Sequence, residues 1–134
     1  IRQSASEIIS TYTEENYAAN NSIYILSLKN SNKESTNKLK YTNGILNSKL
    51  ISYFASSTNV IRSGNGKTPQ IKISDLKRIP IALANNEDFN KIIDLADKLQ
   101  ERFNENEYRE LNKLVYKIYG ISEEQEEYIE KAMS

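Results

Sequence analysis

A polar, basic stretch in the middle of the chain carries the side chains best suited to hold a polyanion. Between positions 62 and 72 it combines basic, amide and hydroxyl side chains around two glycines: Arg62, Asn65, Lys67, Thr68, Gln70 and Lys72. Side chains of these types hold phosphates or read base edges in protein–DNA complexes. Further candidates stand near the start of a predicted helix: Lys38, Lys40 and Tyr41. We predict that these nine residues bind nucleic acid, and an ordinary glycine turn with surface lysines is the alternative.

Other chemistries lack the residues that they need. The chain has no Cys and no His, which excludes disulfides, thiolate or imidazole zinc sites, and nucleophiles activated by histidine. Residues 64–68 (GNGKT) end like a phosphate-binding loop, but the first glycine of that motif is missing and Pro69 stands where a helix should start. The glutamates at 123–127 open a predicted helix, where the helix dipole favours acidic side chains. We expect no catalytic residue and no metal site here.

Charge is segregated along the sequence, although 18 basic residues balance 18 acidic ones. The net charge is −2 over residues 1–28, +8 over 29–78 and −6 over 79–134. Because screening limits electrostatic interactions to about 8 Å at physiological salt, the basic block can attract phosphates locally. A solvated surface rich in lysine is the simpler interpretation of the same block.

The first half of the chain predicts short strands and one helix. Residues 6–12 and 22–28 are rich in β-branched and aromatic side chains, which indicates strands. Helical spacing of apolar residues predicts a helix from Thr36 to about Ala55. Residues 60–73 form a glycine-bearing loop between two short strands, 74–77 a helical turn, and 78–81 an edge strand containing Pro80.

The second half predicts helices. Apolar residues from Phe89 to Phe103 line a first helix, and those from Tyr108 to Tyr119 line a second that ends at Gly120. Residues 122–125 (SEEQ) form a capping box that opens a third helix. We therefore predict an α+β fold, with a small sheet and a packed helix over 1–84 and a helical portion, an αα-hairpin plus a terminal helix, over 85–134. No apolar run approaches the roughly 20 residues that span a bilayer, so we expect a cytoplasmic protein.

Four ordered segments resemble a known family. They are residues 45–51 (ILNSKLI), 66–71 (GKTPQI), 76–81 (LKRIPI) and 114–124 (LVYKIYGISEE). In this order they are similar to the TaqI-like C-terminal specificity domain, the target-recognition domain of adenine-N6 DNA methyltransferases and type IIG restriction-modification enzymes. The similarity runs from about residue 22 to the end, and residues 1–21 match no motif of the family. Compared with that family, the portion before Ile45 is short, which predicts that part of the recognition domain precedes Ile1.

The resemblance implies a module that recognises duplex DNA sequence-specifically for a bacterial or archaeal enzyme. The methyltransferase region, which binds S-adenosylmethionine and carries a paired-proline motif, is then expected upstream in the same polypeptide or complex. Neither Pro69 nor Pro80 has a proline neighbour, so this chain is not expected to methylate by itself. Whether a nuclease accompanies the enzyme stays open.

The same motifs also have plain structural interpretations. Leu46 and Leu50 are expected in the core, and Asn47 and Ser48 are expected to satisfy nearby backbone groups rather than contact DNA. An alternative function is a protein-interaction module, like the helical spacers of type I specificity subunits, whose helices dock on a methyltransferase or nuclease subunit.

Overall fold

A computed structural model describes residues 1, 7–14, 24–29, 32–58, 60–64 and 67–134, with the backbone alone at 62–64 and 67–69. The described part is mostly helical. Its strands form one antiparallel pair, β1 (Ile61–Gly64) and β2 (Lys67–Ile71), which confirms the two strands predicted around the glycines. The predicted α+β fold is therefore confirmed only in its helical portion and this hairpin. No described residue extends the hairpin into a larger sheet.

The predicted helix from Thr36 to Ala55 is two helices, α1 (Lys33–Leu46) and α2 (Lys49–Ser57). Asn32 caps α1 by accepting a hydrogen bond from the backbone N–H of Ser35 at 2.8 Å. The break falls at Asn47 and Ser48, because the side chain of Ser48 caps the start of α2. Because apolar residues continue at helical spacing across residues 45–51, the sequence does not reveal this cap.

Three other predicted strands are wrong over the residues that the structure describes. Residues 7–12 and 24–28 run outside helices and strands, and so do residues 79–81 that follow a turn at 77–78. Residues 6, 22 and 23 lie outside the described part. In the first segment, the backbone groups of Ser10 and Tyr12 bond to side chains instead of a neighbouring strand.

The predicted helical turn is α3 (Ile73–Leu76), and the C-terminal helices are α4 (Asn86–Glu101), α5 (Glu105–Ile118) and α6 (Glu123–Ala132). Asn85 caps α4, and Ser122 and Gln125 complete the predicted capping box. Gly120 follows α5 with φ 67°, and the backbone N–H groups of Gly120 and Ile121 bond to the carbonyls of Lys117 and Tyr116. This pattern is a Schellman motif, which requires the left-handed backbone that glycine adopts without strain.

One core joins the two halves of the chain. Helix α1 packs along α4, α4 packs on α5, and α2 contacts both α5 and α6. Ile45 and Ile51 from the first half are buried in the same cluster as Ile92 and Val115 from the second. The predicted division of the chain into portions 1–84 and 85–134 stays a prediction. No helix of the described residues is long and apolar enough to cross a membrane.

An ion pair with a buried tyrosine ties α2 to α5 and α6. Lys49 Nζ lies 2.7 Å from Glu130 Oε2, and the hydroxyl of Tyr116 donates to Glu130 Oε1 at 2.8 Å. Burial raises the pKa of Glu130, but the hydrogen bonds from Lys49 and Tyr116 outweigh it, so the net pKa is lowered. Burial and the neighbouring Glu130 raise the pKa of Tyr116, which keeps its hydroxyl a donor.

We expect the Glu130→Gln variant to be less stable than the parent protein at pH 7, by about 1 kcal/mol or less because the pair is partly exposed. The pKa of Glu130 is lower folded than unfolded, so its stabilisation exists above the unfolded value and is lost as pH falls through the folded value. Urea unfolding should show the difference at pH 7 and a smaller one below about pH 4. Glu127→Gln is the control, and a difference that persists at low pH would contradict the assignment.

Candidate nucleic-acid interface

The β1–β2 hairpin carries four of the nine residues predicted to bind nucleic acid: Arg62, Lys67, Thr68 and Gln70. Ile61 and Ile71 pair across its base and are both buried, and the hydroxyl of Tyr24 donates to the carbonyl of Ile71 at 2.8 Å. These contacts anchor the hairpin to the core. The register is irregular between Arg62 and Gly64, which indicates a β-bulge. A bulge of this kind bends the strand locally.

The predicted site residues occupy successive positions on this hairpin. Arg62 pairs with Gln70, whose side chain is exposed, and Lys67 and Thr68 begin β2. Asn65 lies outside the described residues. The backbone therefore places Arg62, Lys67, Thr68 and Gln70 on one two-stranded ribbon, in agreement with their closeness in sequence.

Two exposed lysines flank the short helix that follows the hairpin. Lys72 lies between β2 and α3, and Lys77 lies at the other end of α3. Neither makes an ion pair with another described residue. Lys77 is not among the predicted site residues, although its place in the basic block is a signal that points to it. Basic residues thus continue along the chain from the hairpin to the far end of α3.

The three candidates on α1 are placed differently. Lys38 pairs with Glu34 at 3.1 Å on the exposed side of the helix. Lys40 lies 3.3 Å from Asp97 of α4 and 5.3 Å from the ring centre of Tyr12. Both lysines are therefore engaged within the protein, and α1 has α4 rather than the hairpin as its main packing partner.

The side chain of Tyr41 is in the core. It is 3% exposed, its ring stacks on Phe89 at 4.7 Å, and its hydroxyl donates to the carbonyl of Ala82 at 2.6 Å. Burial raises the pKa of Tyr41 to about 12. A ring held in this way does not present a surface to nucleic acid. Its spacing of four residues from Ile45 is the sequence signal for the buried face.

Several basic residues of the +8 block form ion pairs within the protein. Lys38, Lys40 and Lys49 pair with Glu34, Asp97 and Glu130. Arg78 binds the buried Asp75 and donates to the carbonyl of Thr58. Of the +8 block, the basic residues left without a described ion pair include Lys72 and Lys77 next to the hairpin, and Lys29 and Lys33 before and at the start of α1.

Asn47 bonds to the backbone, as predicted. Its Oδ1 accepts from the N–H of Ser10 at 2.9 Å, and its Nδ2 donates to the carbonyl of Ser10 at 2.9 Å. Gln100 of α4 binds the backbone of Tyr12 in the same way. Its Oε1 accepts from the N–H of Tyr12 at 2.9 Å, and its Nε2 donates to the carbonyl of Tyr12 at 2.7 Å. We call Asn47 and Gln100 the amide clamp. Ser48 is also internal, because it is fully buried and its hydroxyl donates to the carbonyl of Ile45.

Among the described residues, no three acidic side chains come together in a group that could hold a metal ion. The amide clamp and the Glu130 ion pair are satisfied by internal partners. By contrast, Lys72 and Lys77 are exposed on either side of α3 and have no ion pair with a described residue.

The comparisons with known proteins extend this result. A family model described as the TaqI-like C-terminal specificity domain matches residues 1–81, which is more than half of the chain. No curated protein and no solved structure matches it. The match differs in its bounds from the predicted similarity, because it begins at residue 1 rather than at about 22 and ends at 81, before the segment at 114–124. It contains the hairpin, α3 and the segment held by the amide clamp, and the chain therefore belongs to the family of TaqI-like C-terminal specificity domains.

Proposed function

We propose that this chain is the DNA target-recognition region of an adenine-N6 DNA methyltransferase or restriction-modification enzyme of bacteria or archaea. The observation that carries the proposal is the family match, since specificity domains of this kind select the DNA sequence on which such enzymes act. On this proposal, residues 1–84 contact DNA and residues 85–134 support them. The enzyme acts in the cytoplasm.

The hairpin is the element that we assign to the DNA. The major groove of B-DNA admits a two-stranded β-ribbon, and base pairs present a distinct pattern of donors and acceptors there. Residues of the ribbon and its continuation supply the types that read bases or hold phosphates: Arg62, Asn65, Lys67, Thr68, Gln70, Lys72 and Lys77. We assign no DNA contact to Tyr41, and only a secondary role to Lys38 and Lys40, whose charges are already paired.

We assign the chemistry to another region of the enzyme. Reaction on a base requires flipping it into a pocket, while a separate surface holds the duplex in register. On this proposal S-adenosylmethionine binds to the methyltransferase region, and no residue of this chain is assigned to that cofactor. The chain recognises the target and has no activity alone.

The proposal predicts salt-dependent binding of duplex DNA, measured by fluorescence anisotropy over a range of salt concentrations. We expect the double variant Lys67→Ala/Lys72→Ala to bind more weakly, and the slope of log affinity against log salt to fall by about one for each phosphate that the variant no longer neutralises. Lys91→Ala/Lys98→Ala is the matched control. It removes the same charge from exposed lysines of α4, each of which has an internal acidic partner.

Equal slopes in both double variants would move the interface away from the hairpin. A chain that shows no salt-dependent binding, even when joined to its methyltransferase region, would contradict the proposal itself. Binding that does not distinguish sequences in the chain alone is compatible with it, because recognition in such an enzyme also uses the catalytic region.

A further inference from the structure

A second surface of the protein has features that suit a protein partner. A groove of about 820 Å³ runs between α2 and α6. Its apolar lining comes from both helices and the turn before α6: Leu50, Tyr53, Phe54, Ile121, Tyr128 and Ile129. Leu50 and Ile129 are buried at its floor, whereas Tyr128 is 66% exposed. The groove therefore combines buried apolar side chains at its floor with a large aromatic side chain that the fold leaves exposed.

The two tyrosines that line the groove contact each other. The rings of Tyr53 and Tyr128 meet edge to face, with centroids 6.0 Å apart. Tyrosines in such positions are frequent among the residues that dominate the energy of protein interfaces.

The charges around the groove favour a partner that is positively charged. Helix α6 carries five glutamates and one lysine. Glu124 and Glu127 line the groove, are exposed and have no ion pair with a described residue, and Lys131 is the basic residue of the lining. A surface of this sign repels DNA and attracts basic groups.

We propose that the groove between α2 and α6 binds a basic amphipathic helix of a partner protein. Two packed helices present ridges and grooves into which a third helix fits, and apolar residues at i, i+3, i+4 and i+7 would lie on the floor. Its lysines or arginines would face Glu124 and Glu127. The proposal concerns other residues than the hairpin, so it holds or fails independently of DNA binding.

The test uses the 134-residue chain and a short fluorescein-labelled peptide of leucine and lysine, with the leucines at helical spacing. A peptide of the same composition in scrambled order is the control. We expect anisotropy to show binding of the amphipathic peptide alone. Tyr128→Ala should weaken it by about tenfold, and the exposure of this ring means that the variant should fold normally.

Charge is tested with two double variants of equal net change. Glu124→Lys/Glu127→Lys should weaken peptide binding and reduce its dependence on salt, whereas Glu101→Lys/Glu110→Lys, on exposed positions of α4 and α5, should have a much smaller effect. Lys67→Ala/Lys72→Ala should leave peptide binding unchanged, which separates this proposal from the DNA interface.

Four results would overturn the proposal. Equal losses of affinity in the two glutamate variants, or equal binding of the scrambled peptide, would show that the peptide responds only to net charge. A dimer in sedimentation that disappears with Tyr128→Ala would assign the groove to a second copy of the chain. Loss of duplex DNA binding with Tyr128→Ala would assign it to nucleic acid.

Discussion

Replacing Asn47 by alanine should destabilise the protein by about 3 kcal/mol, because the Asn47 side chain satisfies both backbone groups of Ser10. The Nδ2 of Asn47 also lies 3.0 Å from the carbonyl oxygen and 3.1 Å from the Oδ1 of Asn43, which is itself buried, so its two N–H groups serve three acceptors, with one hydrogen bond shared. The truncated side chain would leave these partly buried groups without their partner. Urea unfolding measures the decrease in stability, and amide hydrogen exchange of Ile8 and Ser10 shows whether the segment is released.

Two variants sharpen this test. Gln100→Ala removes the other half of the amide clamp, but its hydrogen bonds to Tyr12 are exposed, so we expect a decrease of only about 1 kcal/mol. Asn47→Asp keeps the acceptor for the Ser10 N–H and removes the donor to the Ser10 carbonyl, so it should be nearly as destabilising as alanine. Unchanged exchange at Ser10 in Asn47→Ala would mean that other contacts hold the segment.

The second large effect is expected at Gly44, where α1 and α4 are in close contact. A Cβ at this position would lie 2.7 Å from Cγ2 of Ile92 and 3.3 Å from Cβ of Ala96. Ile92 is fully buried and cannot move aside. We expect Gly44→Val to lower the free energy of unfolding by about 2–3 kcal/mol, because overpacking forces the helices apart.

Graded substitutions separate packing from helix propensity. Gly44→Ala gains about 1 kcal/mol of propensity but makes the same close contact, so its net effect should be smaller than that of valine. Lys38→Val places valine on the exposed side of α1 and should cost under about 1 kcal/mol. Thermal unfolding compares the three variants, and similar decreases for Gly44→Val and Lys38→Val would contradict the assigned close packing.

The sequence predicts helices better than strands because the helix signals here are local. Asn85, Gly120 and the residues of the capping box bond within a few positions of themselves, so their types determine where α4, α5 and α6 begin or end. The segment 7–12 has the composition of a strand, but its backbone groups bond to side chains more than 30 positions away, namely the hydroxyl of Ser52 and the amides of Asn47 and Gln100. Composition gives no information about which distant groups will bond to a segment.

The candidate site was predictable only where its residues are close in sequence. The hairpin residues are close in sequence, so one turn brings them together. The pairing of Lys40 with Asp97, and of Lys49 with Glu130, depends on how α1 and α2 pack against the C-terminal helices. A count of charges by segment includes Lys40 and Lys49 in the basic block. Only the tertiary structure shows that their charges are paired within the protein.

These two ion pairs bear on the proposed DNA binding. The carboxylates of Asp97 and Glu130 already pair with Lys40 and Lys49, as phosphates would. If the chain binds DNA as we propose, these carboxylates act as internal competitors of phosphate. On that proposal, the acidic helices reduce misplaced encounters with nucleic acid, and the hairpin and α3 are the favoured point of approach.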